Sequence, residues 1–407
     1  MATIRGFKAL RPTQDLAKEV SSVPYDVIYA DEVREEIQRN PHSFLRVTRP
    51  DGEYKSNESP AEQELLETAR VNLSQMIATG VLVQDQDDSI YVYRLSSGSH
   101  SQTGIVACCS VEEYESEIIK RHEKTRPDKV EDRTRHLLAL EAQTGLVFLA
   151  FRDNQTVSRL IAETINDQSL YDLTAPDGVR HTIWRVSKPG EFISAFKSVP
   201  EIYIADGHHR VESARLAKTK LSESSAHHSG DEEYNYLIAG IFPSSDLKIL
   251  PYNRAVKDLN TLSGEQFWQK VEANFIVVAS GEKNPKTKGN ICVYFEGAWK
   301  TISPKVKTDT DPISSLDVSL LQNTILSPIL GIHDPRTDER IQFIGGARGT
   351  VELERLVDTG TCAIAFSMFP TTMEELFAVS DIGEIMPPKS TWFEPKLRDG
   401  LLIHSIK

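Results

Sequence analysis

Four cysteines in 407 residues are too few and too scattered for a disulfide framework or a cysteine metal site. Cys108 and Cys109 are adjacent, Cys292 and Cys362 are isolated, and no CxxC spacing occurs. Reduced thiols are expected. Long apolar runs are missing too: the longest, such as GLVFLAF at 145–151, fall far short of the roughly 20 residues that cross a bilayer. The opening MATIRGFKALRPTQDLAKEV carries no basic stretch followed by an apolar one. A soluble, cytoplasmic protein without a membrane partner is expected. Positive charge is in deficit, with 46 Lys and Arg against 59 Asp and Glu and a net charge of −13. That balance argues against a nucleic-acid partner, which needs a basic face to neutralise phosphates. No fixed-period repeat appears.

What remains is ordinary globular composition, 39% hydrophobic and 26% charged, in a chain long enough for two or three packed subdomains. In 59–82, Leu65, Leu66, Ala69, Leu73 and Ile77 recur at helical spacing. SIYVYRL (89–95) and TGIVACCSV (103–111) read as a hairpin. RPDKVEDRTRHLLALEAQTG predicts a helix that begins at a proline, ends on Gly145 and presents Val130, Leu137, Leu138 and Leu140. Further strands are expected at LVFLAF, HTIWRV (181–186), YNYLIAGIF, KILPYNRAV, NICVYFEG and CAIAFSMF, with helices between them. The polar SESSAHHSGDEE (222–233) reads as an exposed loop, and its His227-His228 pair has no further ligand at useful spacing. The fold class is α/β, mixed α+β.

The most informative stretch is EIYIADGHHRVESARLAK, 201–218. An apolar strand carrying Ile202 and Ile204 runs into Asp206-Gly207 and then into His208, His209 and Arg210 on the first turn of a helix. Val147 and Leu149 should share its core. A helix N-terminus presents unpaired amides and a positive dipole end, and a glycine permits close backbone approach. With His and Arg added, the turn can cradle a phosphate or carboxylate. As plain structure, Asp would be an N-cap and Arg solvated surface.

A second cluster, IIKRHEKTRPDKVEDR (118–133), crowds His122, Glu123, Lys124, Arg126, Lys129, Asp132 and Arg133 together. Such runs are usually solvated, yet a carboxylate among cations is kept ionised, as a general base must be. MPPKST (386–391) sets Lys389 beside two hydroxyls without the Gly-rich loop of a Walker motif. It can bind a phosphate or simply shape a loop that docks the C-terminus. GGARG (345–349) follows no dinucleotide fingerprint.

The IADGHHR turn resembles the DGHHR motif of the ParB/sulfiredoxin-like fold, particularly its free serine kinases, in which an upstream HE dipeptide opens the nucleotide-binding core; here RHEK stands at 121–124. The wider chain is similar nearly end to end to a large family of unknown function, through VPYDVI (23–28), NPHSFLRVTRP (40–50), DPRTDERIQFIGG (334–346) and MPPKSTWFEPKLRDGLLI (386–403). The resemblance implies a ParB/sulfiredoxin-like catalytic core over 101–220, an N-terminal α/β segment over 1–100 and a C-terminal α+β region over 221–407.

It also implies an enzyme: a kinase transferring a phosphoryl group from ATP, ADP or pyrophosphate to the hydroxyl of free L-serine, with Mg²⁺. Glu123 would accept the serine proton, and Asp206 would position the metal or the acceptor. Gly207, His208, His209 and Arg210, with Lys389, would hold the donor's phosphates. For the carboxylate and ammonium of the amino acid, the N-terminal segments offer Asp26, Ser43, Arg46 and Arg49; PYDVI reads slightly better as a loop packed by Tyr25 and Val27. The alternative is a non-catalytic, ParB-like nucleotide-binding regulator. A sulfiredoxin-like redox enzyme would need a thiol at the phosphate-binding turn, and no cysteine lies there.

Overall fold

Ile202 to Ala205 are fully buried and form a strand that ends at Asp206, and the next residue but one opens a 17-residue helix, His208–Ser224. This unit sits in a computed structural model that describes residues 1–306 and 311–407. The described chain divides into two compact units, one of Met1–Arg121, Thr125–Leu247 and Pro395–Lys407, the other of His122–Lys124 and Lys248–Glu394. Boundaries at 100 and 220 therefore do not mark these units. One sheet takes strands from both sides of residue 100 and of residue 220, and the last thirteen residues return to the first unit.

Among the described residues, nine strands build that sheet: β1 (Ile4–Arg5), β2 (Tyr91–Ser97), β3 (His100–Ser110), β4 (Ile119–Lys120), β5 (Val147–Phe151), β6 (Tyr171–Thr174), β7 (Arg180–Arg185), β8 (Ile202–Asp206) and β9 (Tyr236–Pro243). Their order is β4-β8-β5-β9-β3-β2-β7-β6, with β1 on β3. β8 runs parallel to β4 and antiparallel to β5, and β9 runs parallel to β5. All five residues of β5 are buried, as both faces of a central strand are when helices cover it. The first unit's helices include α1 (Glu62–Ala78), α2 (Pro127–Leu140), α3 (Gln155–Thr164), α4 (Pro189–Phe196) and α5 (His208–Ser224). Leu137 of α2 and Val211, Ala214 and Ala217 of α5 join Val147, Leu149, Ile202 and Ile204 in one core.

Two local expectations change. Of the expected apolar series Ala69 and Leu73 are buried, but Ile77 is 45% exposed, and Asn72 and Met76 complete the buried face of α1. Helix α2 stops at Leu140, with Glu141 left-handed at φ 53°, because Ala142–Gln143 pairs with Ile403–Ser405 in a small second sheet. Gly145 does not end the helix. A Cβ there would meet Arg210 Nη1 at 2.1 Å and Asp399 Oδ1 at 2.4 Å, so the position is bare to let that pair through.

The second unit is built on an antiparallel sheet of six strands among the described residues: β10 (Tyr252–Val256), β11 (Phe275–Val278), β12 (Ile291–Phe295), β13 (Ala298–Pro304), β14 (Ile341–Gly345) and β15 (Ile364–Ser367), in the order β11-β13-β12-β15-β10-β14. Helix α6 (Gly349–Asp358) covers one face through Leu353 and Leu356, which pack on Ala255, Cys292 and Ala365. The four cysteines are buried free thiols, and burial raises their pKa. Among the described residues no helix is long and apolar enough to cross a membrane.

Candidate functional site

The turn between β8 and α5 is built by Gly207, whose φ of 93° and ψ of 27° are left-handed values that a Cβ would strain. It caps α5, its carbonyl accepting from Arg210 N–H at 2.9 Å. Asp206 stands just before it with both carboxylate oxygens engaged. Oδ1 accepts from Gly207 N–H at 2.8 Å and Oδ2 from Lys396 Nζ at 2.5 Å. Burial would raise the Asp206 pKa, but Lys396, Arg210 and the Gly207 amide more than reverse this and hold it well below the usual carboxylate range. The side chain keeps 43% of its surface open to solvent. An ionised, accessible carboxylate beside a helix N-terminus fits Mg²⁺, which commonly takes one or two protein carboxylates and completes its shell with water and substrate phosphates. His208 is buried, and His209, half-buried, accepts Arg126 N–H at Nε2 (3.1 Å), which makes Nδ1 the protonated nitrogen of the neutral ring.

Arg210 turns inward rather than toward the mouth of the turn. Nη1 donates to Leu146 O at 3.0 Å and to Asp399 Oδ1 at 3.1 Å, and Nη2 to Asp399 Oδ2 at 3.3 Å. Burial would lower its pKa, but Asp399 and Asp26 raise it, so the guanidinium stays charged. Burial pushes Asp399 up to about 6 against the pull of Arg210, which leaves the pair ionised at neutral pH. The geometry makes Arg210 a brace of the turn.

The other expected residues of the first unit divide in the same way. Ser43 is buried with its hydroxyl 3.2 Å from that of Ser22. Arg46 pairs with Glu53 at 2.8 Å, while Arg49 grips Asp51 at 2.9 and 2.8 Å and the carbonyls of Tyr25 and Ile28 at 3.0 Å each. Those three hold the N-terminal segment together. Asp26 is exposed, and its charge acts on both Arg210 and Asp399.

Glu123 and Lys389 belong to the second unit. Glu123 is half-buried beside buried His122, whose Nε2 lies 3.2 Å from Thr391 Oγ1 and whose carbonyl accepts Met386 N–H at 2.8 Å. The MPPKST loop is thereby docked onto the RHEK segment. Lys389 is left-handed at φ 57°; its ammonium lies 5.6 Å from the Tyr252 ring centre and its carbonyl accepts from buried Arg254 at 3.0 Å. Ser390 donates to Pro387 O at 2.6 Å.

Lys396 and Asp399 went unnoticed as site residues. Their only signal is their place in EPKLRDG, and nothing local says which distant groups they meet. A cleft of about 510 Å³ in the first unit is lined by Leu138, Leu221, Tyr234 and Ile406 among others. Four carboxylates, Glu141, Asp231, Glu232 and Glu233, against one cation, Lys407, also line it, and that balance of charge opposes a phosphate ligand.

Residues 4–319 match the model of a family described as protein of unknown function (DUF1015). No curated protein matches the chain. Among solved structures the chain is similar to a conserved hypothetical protein from Pyrococcus furiosus, at 15% identity over 73% of this chain and 94% of that one, with a TM-score of 0.37. It is also similar to a free serine kinase in complex with AMP (13% identity, 73% and 91% covered, TM-score 0.38) and to SbnI with C-terminal truncation from Staphylococcus aureus (11%, 72% and 85%, 0.38).

Proposed function

The chain belongs to the DUF1015 family, which brings no established activity with it, and we propose from its own residues that it is a small-molecule kinase forming O-phospho-L-serine from free L-serine. A ParB/sulfiredoxin-like core within 101–220 belongs to the same reading. The observation that carries it is the DGHHR turn: Asp206, held ionised by Lys396, stands at a strand end where left-handed Gly207 opens a 17-residue helix. Phosphoryl transfer asks a protein mainly for positioning and for charge at the moving group. The amides and dipole at the start of α5, with His208 and His209, supply donors to a phosphate. Asp206 would hold Mg²⁺, whose chemistry is to neutralise phosphate oxygens. Glu123 is the base in this reading, taking the proton of the serine hydroxyl. Arg210 acts through Asp399 as a positioning residue.

The test incubates purified protein with Mg²⁺, each of ATP, ADP and pyrophosphate, and an amino-acid panel, and looks for O-phosphoserine by mass spectrometry. Product from one donor supports the reading and names the donor. Donor binding with no phosphorylated amino acid overturns it in favour of a non-catalytic nucleotide-binding protein.

A further inference from the structure

Behind the turn the first unit has a partly open cavity of about 50 Å³, bounded by α2, α5 and the segment 142–147. Tyr25, Arg133, His136, Gly145, Arg210 and Asp399 are among its walls. The space holds a few ordered waters, or a ligand of similar bulk. It adjoins the turn directly. Val147 and Arg210 line it, and these are the residues that a Cβ on Gly207 would approach at 3.5–3.8 Å.

Its charges are arranged in opposition. The guanidinium of Arg133 lies 4.3 Å from the Tyr25 ring centre and that of Arg210 5.6 Å from the same centre. Asp399 reaches the cavity past bare Gly145, paired with Arg210. Burying such a pair is costly, and an apolar replacement of the same shape is often as stable, so packing alone explains it poorly. Arg133, by contrast, bonds only its chain neighbour Asp132 (2.8 Å) among carboxylates of the described residues, and Asp132 is itself 45% exposed. That contact can be exchanged for a ligand's carboxylate at little cost. His136 is neutral: burial lowers it to about 4, and Nε2–H donates to Val47 O at 2.9 Å.

We infer that this cavity seats the acceptor and takes a small α-amino acid as its zwitterion, carboxylate against Arg133 and ammonium against Asp399. A phosphate would meet the Asp399 carboxylate with like charge, and a nucleotide is far too large for the space. A cation and a carboxylate in one small space complement a zwitterion and discriminate against a simple anion or a simple amine. The inference rests on the kinase reading only for calling the ligand an acceptor.

The test is calorimetric binding to the full chain without any phosphoryl donor. L-Serine should bind saturably, whereas ethanolamine, which lacks the carboxylate, and glycerate, which lacks the ammonium, should each bind at least tenfold more weakly. Arg133→Gln should weaken L-serine at least tenfold and leave nucleotide affinity unchanged; Arg133→Lys, which keeps the charge but loses the fork, should fall between. Circular dichroism confirms that both variants fold, and should Arg133→Gln not fold, Arg133→Lys alone decides. Serine binding that both variants leave untouched overturns the inference, even if serine is phosphorylated and the kinase reading stands. Inorganic phosphate competing with serine and lost with Arg133 also overturns it, in favour of an anion site. Serine binding that depends on Arg133, without phosphoryl transfer from any donor, keeps the inference and removes the kinase reading.

Discussion

Lys396 donates to Asp206 at 2.5 Å across 190 residues of chain, so the carboxylate at the mouth of the turn is charge-paired with a residue near the C-terminus. Against the effect of burial, the pull on the Asp206 pKa comes chiefly from Lys396, with Arg210 and the Gly207 amide behind it.

Lys396→Met should therefore return Asp206 toward an ordinary carboxylate pKa. Because Asp206 is 43% exposed, the stability loss should be only about 1 kcal/mol. Asp206 with an ordinary carboxylate pKa is still ionised at neutral pH, so a loss of phosphoryl transfer should come from its altered placement and show in the Mg²⁺ dependence. A metal titration of the variant that matches wild type would remove Lys396 from the site.

Arg210→Met leaves Asp399 buried without a counter-charge, which should cost about 3–5 kcal/mol in urea unfolding. Arg210→Met with Asp399→Leu should recover most of it, since removing both charges removes the desolvation cost as well. If the double variant is as unstable as the single, the pair is not what Arg210 contributes.

Glu123→Gln keeps the shape of the side chain but cannot take a proton. In the kinase reading kcat should fall by roughly 10²–10⁴ while donor affinity stays close to wild type. Turnover near that of wild type would move the base elsewhere.

In the second unit, burial raises Asp317 to about 6, although both its oxygens accept Gly289 N–H at 2.9 Å. A carboxyl raised in the folded state binds its proton more tightly there than in the unfolded chain. Its contribution to stability is present in full below about pH 4 and is lost as pH rises through about 6. Asp317→Asn should flatten that limb and leave the protein roughly 1–3 kcal/mol more stable than wild type above pH 6. The measurement is denaturant unfolding at several pH values, and parallel curves for the two proteins would contradict the assignment.

The sequence by itself determined the local pieces. The strand and helix around Asp206-Gly207 follow from an apolar run ending at a glycine, and Ile202, Ile204, Val147 and Leu149 are core because β-branched and leucine side chains in short apolar runs are buried by the sheet they form. Short-range periodicity carries that information. Tertiary structure alone decided that Arg210 faces Asp399 and not the mouth of the turn, that Lys396 holds Asp206, and that Arg46 and Arg49 brace their own segment. It also decided that Gly145 exists for a passing ion pair and not for a helix end. Ion pairs between residues nearly two hundred positions apart leave no periodic trace. A charged side chain reads the same in sequence whether it meets solvent, a ligand or a buried partner, and only folding brings the partner to it.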